Sequence, residues 1–339
     1  MKHKKKISKS TIIIIAVAVV CVLAVVALCL FAMPRTAEVG GAVSTVSTAN
    51  TANAASNSAN ATNQPAATNQ NAVQAEPAPK PEPATDSLGW RPGETSDASF
   101  ADLQQKIEAY NQQWNCEATF TLINLETGKG FNIDGDKPMV AASVIKLLVM
   151  AELFDQVDQG ILSLDDYKDG DTLRHLCEIM IYQSSDPATN SLIEVVGMDN
   201  INEEAQKLGL QNTVLNRMMI SVDDSATIEN YMSSNDTAVI LNMIWEGNFY
   251  SPELNQLALQ FLEESEDIYT GVYDAIPPSA TWAHKAGVLY GYIEIRNDCG
   301  IMEAPTPFVM CIYTHGLNES SGRSYRFGLT QIVYSWMEG

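Results

Sequence analysis

The stretch "MVAASVIKLLVMAELF", residues 139–154, is apolar almost throughout, yet it carries Ser143 and, one helical turn later, Lys146. Residues three apart on a helix share a face. A helix that begins near Ser143 aims unpaired N–H groups and the positive end of its dipole at the hydroxyl region, where developing negative charge is stabilised. In an apolar helix, with Lys285 expected as a second cation nearby, the Lys146 ammonium is poorly accommodated. Its pKa is expected to fall, making a neutral amine available as a base, which is what a serine nucleophile needs. The same four residues also describe a lysine that snorkels beside an ordinary serine, so the rest of the chain decides.

Two other polar interruptions matter. "CEIMIYQSSDPATNSLIEVVG", residues 177–197, reads as an apolar helix broken at "QSSDP" and restarted. Such a knot either places side chains in a cleft or forms a turn capped by Ser and Asp. "WAHKAGVLYG", residues 282–291, puts Lys285 in an apolar strand before Ala286 and Gly287. Small residues there let a ligand lie along the backbone, while the competing reading is an edge-strand lysine that discourages aggregation.

Around these stretches the pattern predicts a helix over Ser99–Trp114 with Ser99 as its cap, then a hairpin over residues 116–134 around the turn signal "ETGKG". A largely helical middle runs from Thr172 to about Leu262. Strands return as "TWAHKAGVLYGYIEIR", "DCGIMEA" and "PFVMCIYTHG", and a helix over residues 324–337 closes the chain. Strands at both ends with helices between them predict an α+β fold, an α/β sandwich in which N- and C-terminal strands form one antiparallel sheet packed by helices and an all-helical block.

Before this domain, expected over residues 87–339, the composition is different. Residues 1–10 are basic, with Lys2, Lys4, Lys5, Lys6 and Lys9, and residues 11–33 run without a charge. A run of that length spans a hydrocarbon core of about 30 Å, and the basic flank favours a cytoplasmic N-terminus. The expected placement is a single-pass anchor in the cell membrane with the rest of the chain extracytoplasmic, a cleaved signal peptide being the alternative. Residues 34–86, rich in Ala, Asn, Thr and Pro, read as a disordered spacer. The formal net charge of −21 argues against nucleic acid as a partner. No metal-ligand spacing appears among the cysteines and histidines, so neither metal nor cofactor is expected. Cys116, Cys177, Cys299 and Cys311 fall in the outer domain, where a disulfide is allowed but the spacing does not pair them.

Taken together and in order, these motifs resemble the penicillin-recognising serine enzymes, most closely the class A β-lactamase-like group, whose motifs are S-x-x-K, S-D-N and K-T-G. The resemblance covers about Ser99 to Gly339. It implies Ser143 as the acylated nucleophile, Lys146 as its proton-transfer partner and Ser184 as the serine that passes a proton to the leaving nitrogen. It further implies Lys285 as the holder of a substrate carboxylate, with Asp186, Ala286, Gly287 and Val288 lining the substrate, and an oxyanion hole from the N–H groups of Ser143 and Val288. Asn190, six residues after Ser184, supports that register. The implied substrates are β-lactams or peptidoglycan-derived acyl groups. A penicillin-binding-type D-alanyl peptidase and a non-catalytic wall-binding or sensing module are the alternatives.

The motifs depart from the family at five places, the first being Ser185 where the family has aspartate. Asp186 stands where the family has asparagine, although Ser185-Asp186-Pro187 is an alternative register that loses the match at Asn190. Ala286 replaces the threonine of the third motif. In "NRMMISVD", residues 216–223, Arg217 matches the arginine of the family's R-x-E-x-x-x-N loop, but Met219 falls at its glutamate and Asp223 at its asparagine. A thioether cannot take a proton from water, so release of an acyl group is expected to be slow unless Asp223 or Asp224 substitutes.

Overall fold

The computed structural model describes residues 98–219, 228–266, 270–291 and 293–339. The expected basic N-terminus, membrane span and spacer lie outside these residues, as do Asp223 and Asp224. Among the described residues no helix is long and apolar enough to cross a membrane.

The elements follow in the order anticipated. Helix α1 (Ala101–Asn111) precedes the hairpin β1 (Glu117–Asn124) and β2 (Gly130–Ile133). Next come the short strand β3 (Met139–Val140), a 3-10 turn (Ala142–Ile145) and α2 (Lys146–Asp158). A two-stranded ribbon of β4 (Tyr167–Lys168) and β5 (Asp171–Thr172) leads into α3 (Leu173–Tyr182), α4 (Asp186–Val196) and α5 (Met198–Lys207). Strand β6 (Tyr231–Met232) pairs with β3 and is followed by α6 (Ser234–Glu246) and α7 (Pro252–Glu263). The chain ends with β7 (Thr281–Leu289), β8 (Ile295–Glu303), β9 (Phe308–His315) and α8 (Glu319–Met337).

Five strands form one antiparallel sheet in the order β2-β1-β9-β8-β7, so the N-terminal hairpin and the C-terminal strands do meet. Both faces are covered. One carries Phe120, Leu122, Trp282, Met302, Met310 and Ile312 against α1 and α8, and the other carries Ile123, Ala283, Cys299, Val309, Cys311 and Tyr313 against the helical block. The alternation along each strand makes this division. Helix starts follow their caps: the side chains of Thr172, Ser185, Ser233, Ser251 and Asn318 each accept a main-chain N–H of the first turn.

Two boundaries differ from expectation. Ser99 is not the cap of α1; it lies in a 3-10 turn (Ala98–Phe100), and the N-cap is Phe100, whose ring is buried against Phe131 and Trp336. Aromatic burial there outweighs a hydroxyl cap. The single strand expected over residues 281–296 is two strands. Gly291, at φ 100°, adopts a backbone conformation that an L side chain resists, and the chain turns back there into β8.

What positions the site is the contact between β7 and the 3-10 turn. A Cβ at Gly287 would lie 2.6 Å from the Ala141 carbonyl oxygen and 2.9 Å from Val144 Cγ2, so only glycine lets strand and turn touch. Asn297 of β8 fastens the same turn by donating to the carbonyls of Val140 (2.9 Å) and Ala141 (3.2 Å). Gly287→Ala is expected to push the turn off the strand at a cost of about 1 to 3 kcal/mol. A urea denaturation midpoint equal to that of the wild type would show instead that the turn moves aside freely.

Candidate active site

Ser143 lies in the 3-10 turn, and Lys146 is the first residue of α2. The turn starts at Ala142, whose φ of 47° is unusual for a residue with a Cβ. Lys146 has no exposed surface. Its Nζ donates to Ser143 Oγ at 2.9 Å, to the Ser184 carbonyl at 2.7 Å and to Asp186 Oδ1 at 2.6 Å, with Ser184 Oγ at 3.2 Å. The apolar helix therefore does not leave the ammonium to snorkel; it delivers the group into a nest of oxygens.

Ser184 sits between α3 and α4 with φ 55°, a second strained position in the same place. From the other side Lys285 Nζ donates to Ser184 Oγ at 3.0 Å and to the Ala286 carbonyl at 3.0 Å, and Lys285 too is fully buried. A continuous chain of contacts thus runs Ser143, Lys146, Ser184, Lys285. The neighbouring hydroxyl does something else: Ser185 Oγ accepts the Ala188 N–H at 3.3 Å as the cap of α4. Of the two registers open in the sequence, the structure brings Ser184 to the lysines.

Asp186 forms an ion pair with Lys146, its side chain 29% exposed and the lysine 0%. Burial lowers the Lys146 pKa, and the hydrogen bond and charge of Asp186 oppose that fall. The direction and its main cause, loss of solvation in an apolar helix, agree with the sequence argument; only the part assigned to a second cation does not. Desolvation is the main cause and a carboxylate, not the second cation Lys285, is the neighbour that modifies it.

The third motif divides by strand alternation. Lys285 and Gly287 face the nucleophile turn, whereas the Ala286 methyl, 1% exposed, is packed away and contributes its carbonyl to Lys285. The main-chain directions can be traced across the sheet. Gly316 N–H donates to the Glu294 carbonyl, which fixes which residues of β9 and β8 bond to each other. Carrying that alternation to β7, an edge strand, leaves the main-chain groups of Ala286 and Val288 pointing off the open edge. Val288 therefore presents its N–H at the open edge of the sheet, next to the glycine against which the nucleophile turn packs.

Asn190, one turn along α4 from Asp186, clamps Met219 by two bonds. Its Nδ2 donates to the Met219 carbonyl and its Oδ1 accepts the Met219 N–H, both at 2.8 Å. Arg217 binds Glu229 at 2.6 Å, and Asn230 accepts the N–H groups of Asn216 and Arg217. Met219 is 7% exposed, its sulfur 3.8 Å from Asn230 Nδ2. Glu229, Asn230 and Asn297 were not foreseen from sequence. An asparagine in the apolar run "IRNDCGIME" is the only local signal for any of them.

Among the described residues one cluster has metal-ligand chemistry, Glu152, Asp155 and Glu204, with oxygens within 4.8 Å of one another. Lys207 already supplies a cation there, 2.8 Å from Asp155 and 3.0 Å from Glu204.

Comparison with known proteins agrees with this geometry. The model of a family described as "Beta-lactamase enzyme family" matches residues 102–169 and 167–337. Beta-lactamase ROB-1 of Haemophilus influenzae is 23% identical over 246 residues, covering 66% of this chain and 80% of that protein. Among solved structures, a beta-lactamase from Sphaerobacter thermophilus shares the fold at TM-score 0.63 and 24% identity, over 70% of this chain and 98% of that one. PBP-A does so at TM-score 0.64 and 24% identity, over 74% and 99%. A point mutant of PBP-A, solved as an acyl-enzyme complex with penicillin G, has TM-score 0.63 and 25% identity over 70% and 96%. With a family match across most of its length and the serine-lysine arrangement in place, the chain belongs to the beta-lactamase enzyme family and is a β-lactamase-like serine hydrolase.

Proposed function

We propose that the protein acts through a Ser143 acyl-enzyme on β-lactams or related acyl substrates, that it does so outside the cell from a single-pass membrane anchor, and that it releases the acyl group slowly. The observation that carries the catalytic part is the contact chain from Ser143 Oγ through Lys146 Nζ and Ser184 Oγ to Lys285 Nζ.

In this reading Ser143 Oγ attacks the substrate carbonyl as its proton passes to Lys146 Nζ, and the tetrahedral oxyanion is held by the N–H groups of Ser143 and Val288. Ser184 Oγ lies between the two lysine nitrogens and hands a proton to the leaving nitrogen, so that the ring amide bond breaks as the ester forms. Lys285 offers charge to a substrate carboxylate. Asp186 favours the ammonium form of Lys146 against the burial that disfavours it, so the neutral amine that takes the Ser143 proton forms in competition with that ion pair. Release requires a water and a base on the ester. The residue that Asn190 clamps at the loop is Met219, which has no basic atom. The penicillin G adduct of the PBP-A mutant supports β-lactams as acyl donors for this fold.

The anchored placement rests on the sequence of residues 1–33. A D-alanyl peptidase of penicillin-binding type is the second reading, favoured by the same missing base.

Incubation with a penicillin followed by intact-mass measurement tests the Ser143 acyl-enzyme on which both readings rest. A persistent adduct on the wild type, absent from Ser143→Ala, is the expected result; labelling of the mutant at another serine removes Ser143 from the role.

The rate of acylation is expected to rise with pH and level off below about 10.4, the ordinary lysine value. Asp186→Asn takes away the charge that favours the ammonium, so the midpoint of that rise moves to lower pH. An unchanged midpoint would separate the ion pair from the proton transfer.

Met219→Glu, with or without Asp223→Asn, should shorten the lifetime of the adduct by about 10²- to 10⁴-fold, the usual contribution of a general base. Wild-type protein that clears its adduct within seconds would show that a base is already present.

A further inference from the structure

Cys299 of β8 and Cys311 of β9 stand directly opposite each other in antiparallel register, and both are fully buried. The kind of pair they form follows from their neighbours. Antiparallel pairs alternate between hydrogen-bonded and non-hydrogen-bonded sites, with Cα atoms about 5.5 Å and about 4.5 Å apart respectively. Gly316 N–H donates to the Glu294 carbonyl, in the same register as the pair Cys299 and Cys311. Stepping back along β9 by twos, Thr314 and Ile312 point their main-chain groups at β8. The Thr314 N–H agrees, reaching Asn297 Oδ1 on β8 at 3.0 Å. Cys311 therefore occupies a non-hydrogen-bonded site, where opposing side chains come closest, and the Cα spacing of about 4.5 Å lies within the about 4.4 to 6.8 Å range of disulfides.

We propose that Cys299 and Cys311 are a disulfide-forming pair, oxidised by a small-molecule disulfide as the strands assemble, and that the bond is a covalent staple beneath the nucleophile turn. One thiolate attacks a sulfur of the oxidant and expels a thiolate. The second cysteine then attacks the mixed disulfide at the protein sulfur and expels the other. Two protein thiols lose two protons and two electrons, and the oxidant leaves as two thiols.

Three further observations bear on this. All four described cysteines are free in this structure, and Cys116 and Cys177 are not in strand register with another cysteine. Cys299 is also opposite Lys285 on β7, and Asn297, two residues earlier on the same face, holds the Val140 and Ala141 carbonyls. The staple would thus lie in the row of side chains that carries Lys285 and supports the turn of Ser143. Burial and the adjacent Cys311 thiol hold the Cys299 thiol well above its ordinary pKa, so in the folded chain the Cys299 thiolate does not form readily. The bond is made before the sheet is covered, and is then shielded from reductants.

The test is linkage mapping on the full chain, refolded with oxidised glutathione, then denatured with an alkylating agent in the absence of reductant. No lysine or arginine lies between the two cysteines, so trypsin leaves both in one peptide, residues 297–323. That peptide is expected to carry no alkyl group and to be lighter by about 2 Da, the two hydrogens lost. Cleavage after Glu303 should yield two fragments that separate only on reduction. Two alkyl groups on the peptide of the natively refolded protein, or a link from either cysteine to Cys116 or Cys177, overturns the proposal. Cys299→Ser provides the second arm: Cys311 must then be alkylated, and a Cys311 that stays blocked would show that its partner lies elsewhere.

Discussion

A lysine without exposed surface is tolerated in a protein only where oxygens replace the water its ammonium has lost, and the site is organised around meeting that demand at Lys146. Ser143, Ser184 and Asp186 come from three separate elements, and each is fixed by what it gives the same nitrogen. The strained backbone at Ala142 and Ser184 is the cost of bringing those oxygens inward. Gly287 and Asn297 hold the turn against the sheet so that the arrangement does not relax.

The ion pair with Asp186 gives this site a different electrostatic balance from one with an amide at the same place. An amide would donate or accept without charge, leaving desolvation to set the lysine unopposed. A carboxylate about 2.6 Å away works against it. Burial still prevails in direction.

Much of this was legible in the sequence because the relevant signals are local. The spacing of Ser143 and Lys146 is a helical turn, the break at Ser184 is marked by two serines and a proline, and Lys285 precedes a glycine. These fixed which elements face one another. What could not be read was set by distant partners. Ser99 lost the cap of α1 to the packing of Phe100 on Phe131 and Trp336. The run over residues 281–296 looked like one strand because nothing in its apolar pattern shows that Gly291 reverses the chain. Asp186 was recognisable as a departure from the motif, but its attachment to Lys146 depends on the angle between α2 and α4. The clamp of Asn190 on Met219 joins residues on either side of α5, and neither residue type announces the other.

The pairing of β1 with β9 has a consequence for the order of assembly. The central sheet joins a strand ending at Asn124 to one beginning at Phe308, so it cannot close until almost the whole polypeptide has been made. Helices α2 to α5, whose contacts are nearer in sequence, are free to form earlier. During that interval Ser143 and Lys146 exist without Lys285, and the turn that holds Ser143 lacks the strand against which it rests. A truncated or half-synthesised chain would thus hold a nucleophile without its partners, and reactivity toward an acyl donor would be a property that the chain acquires only with its last strands.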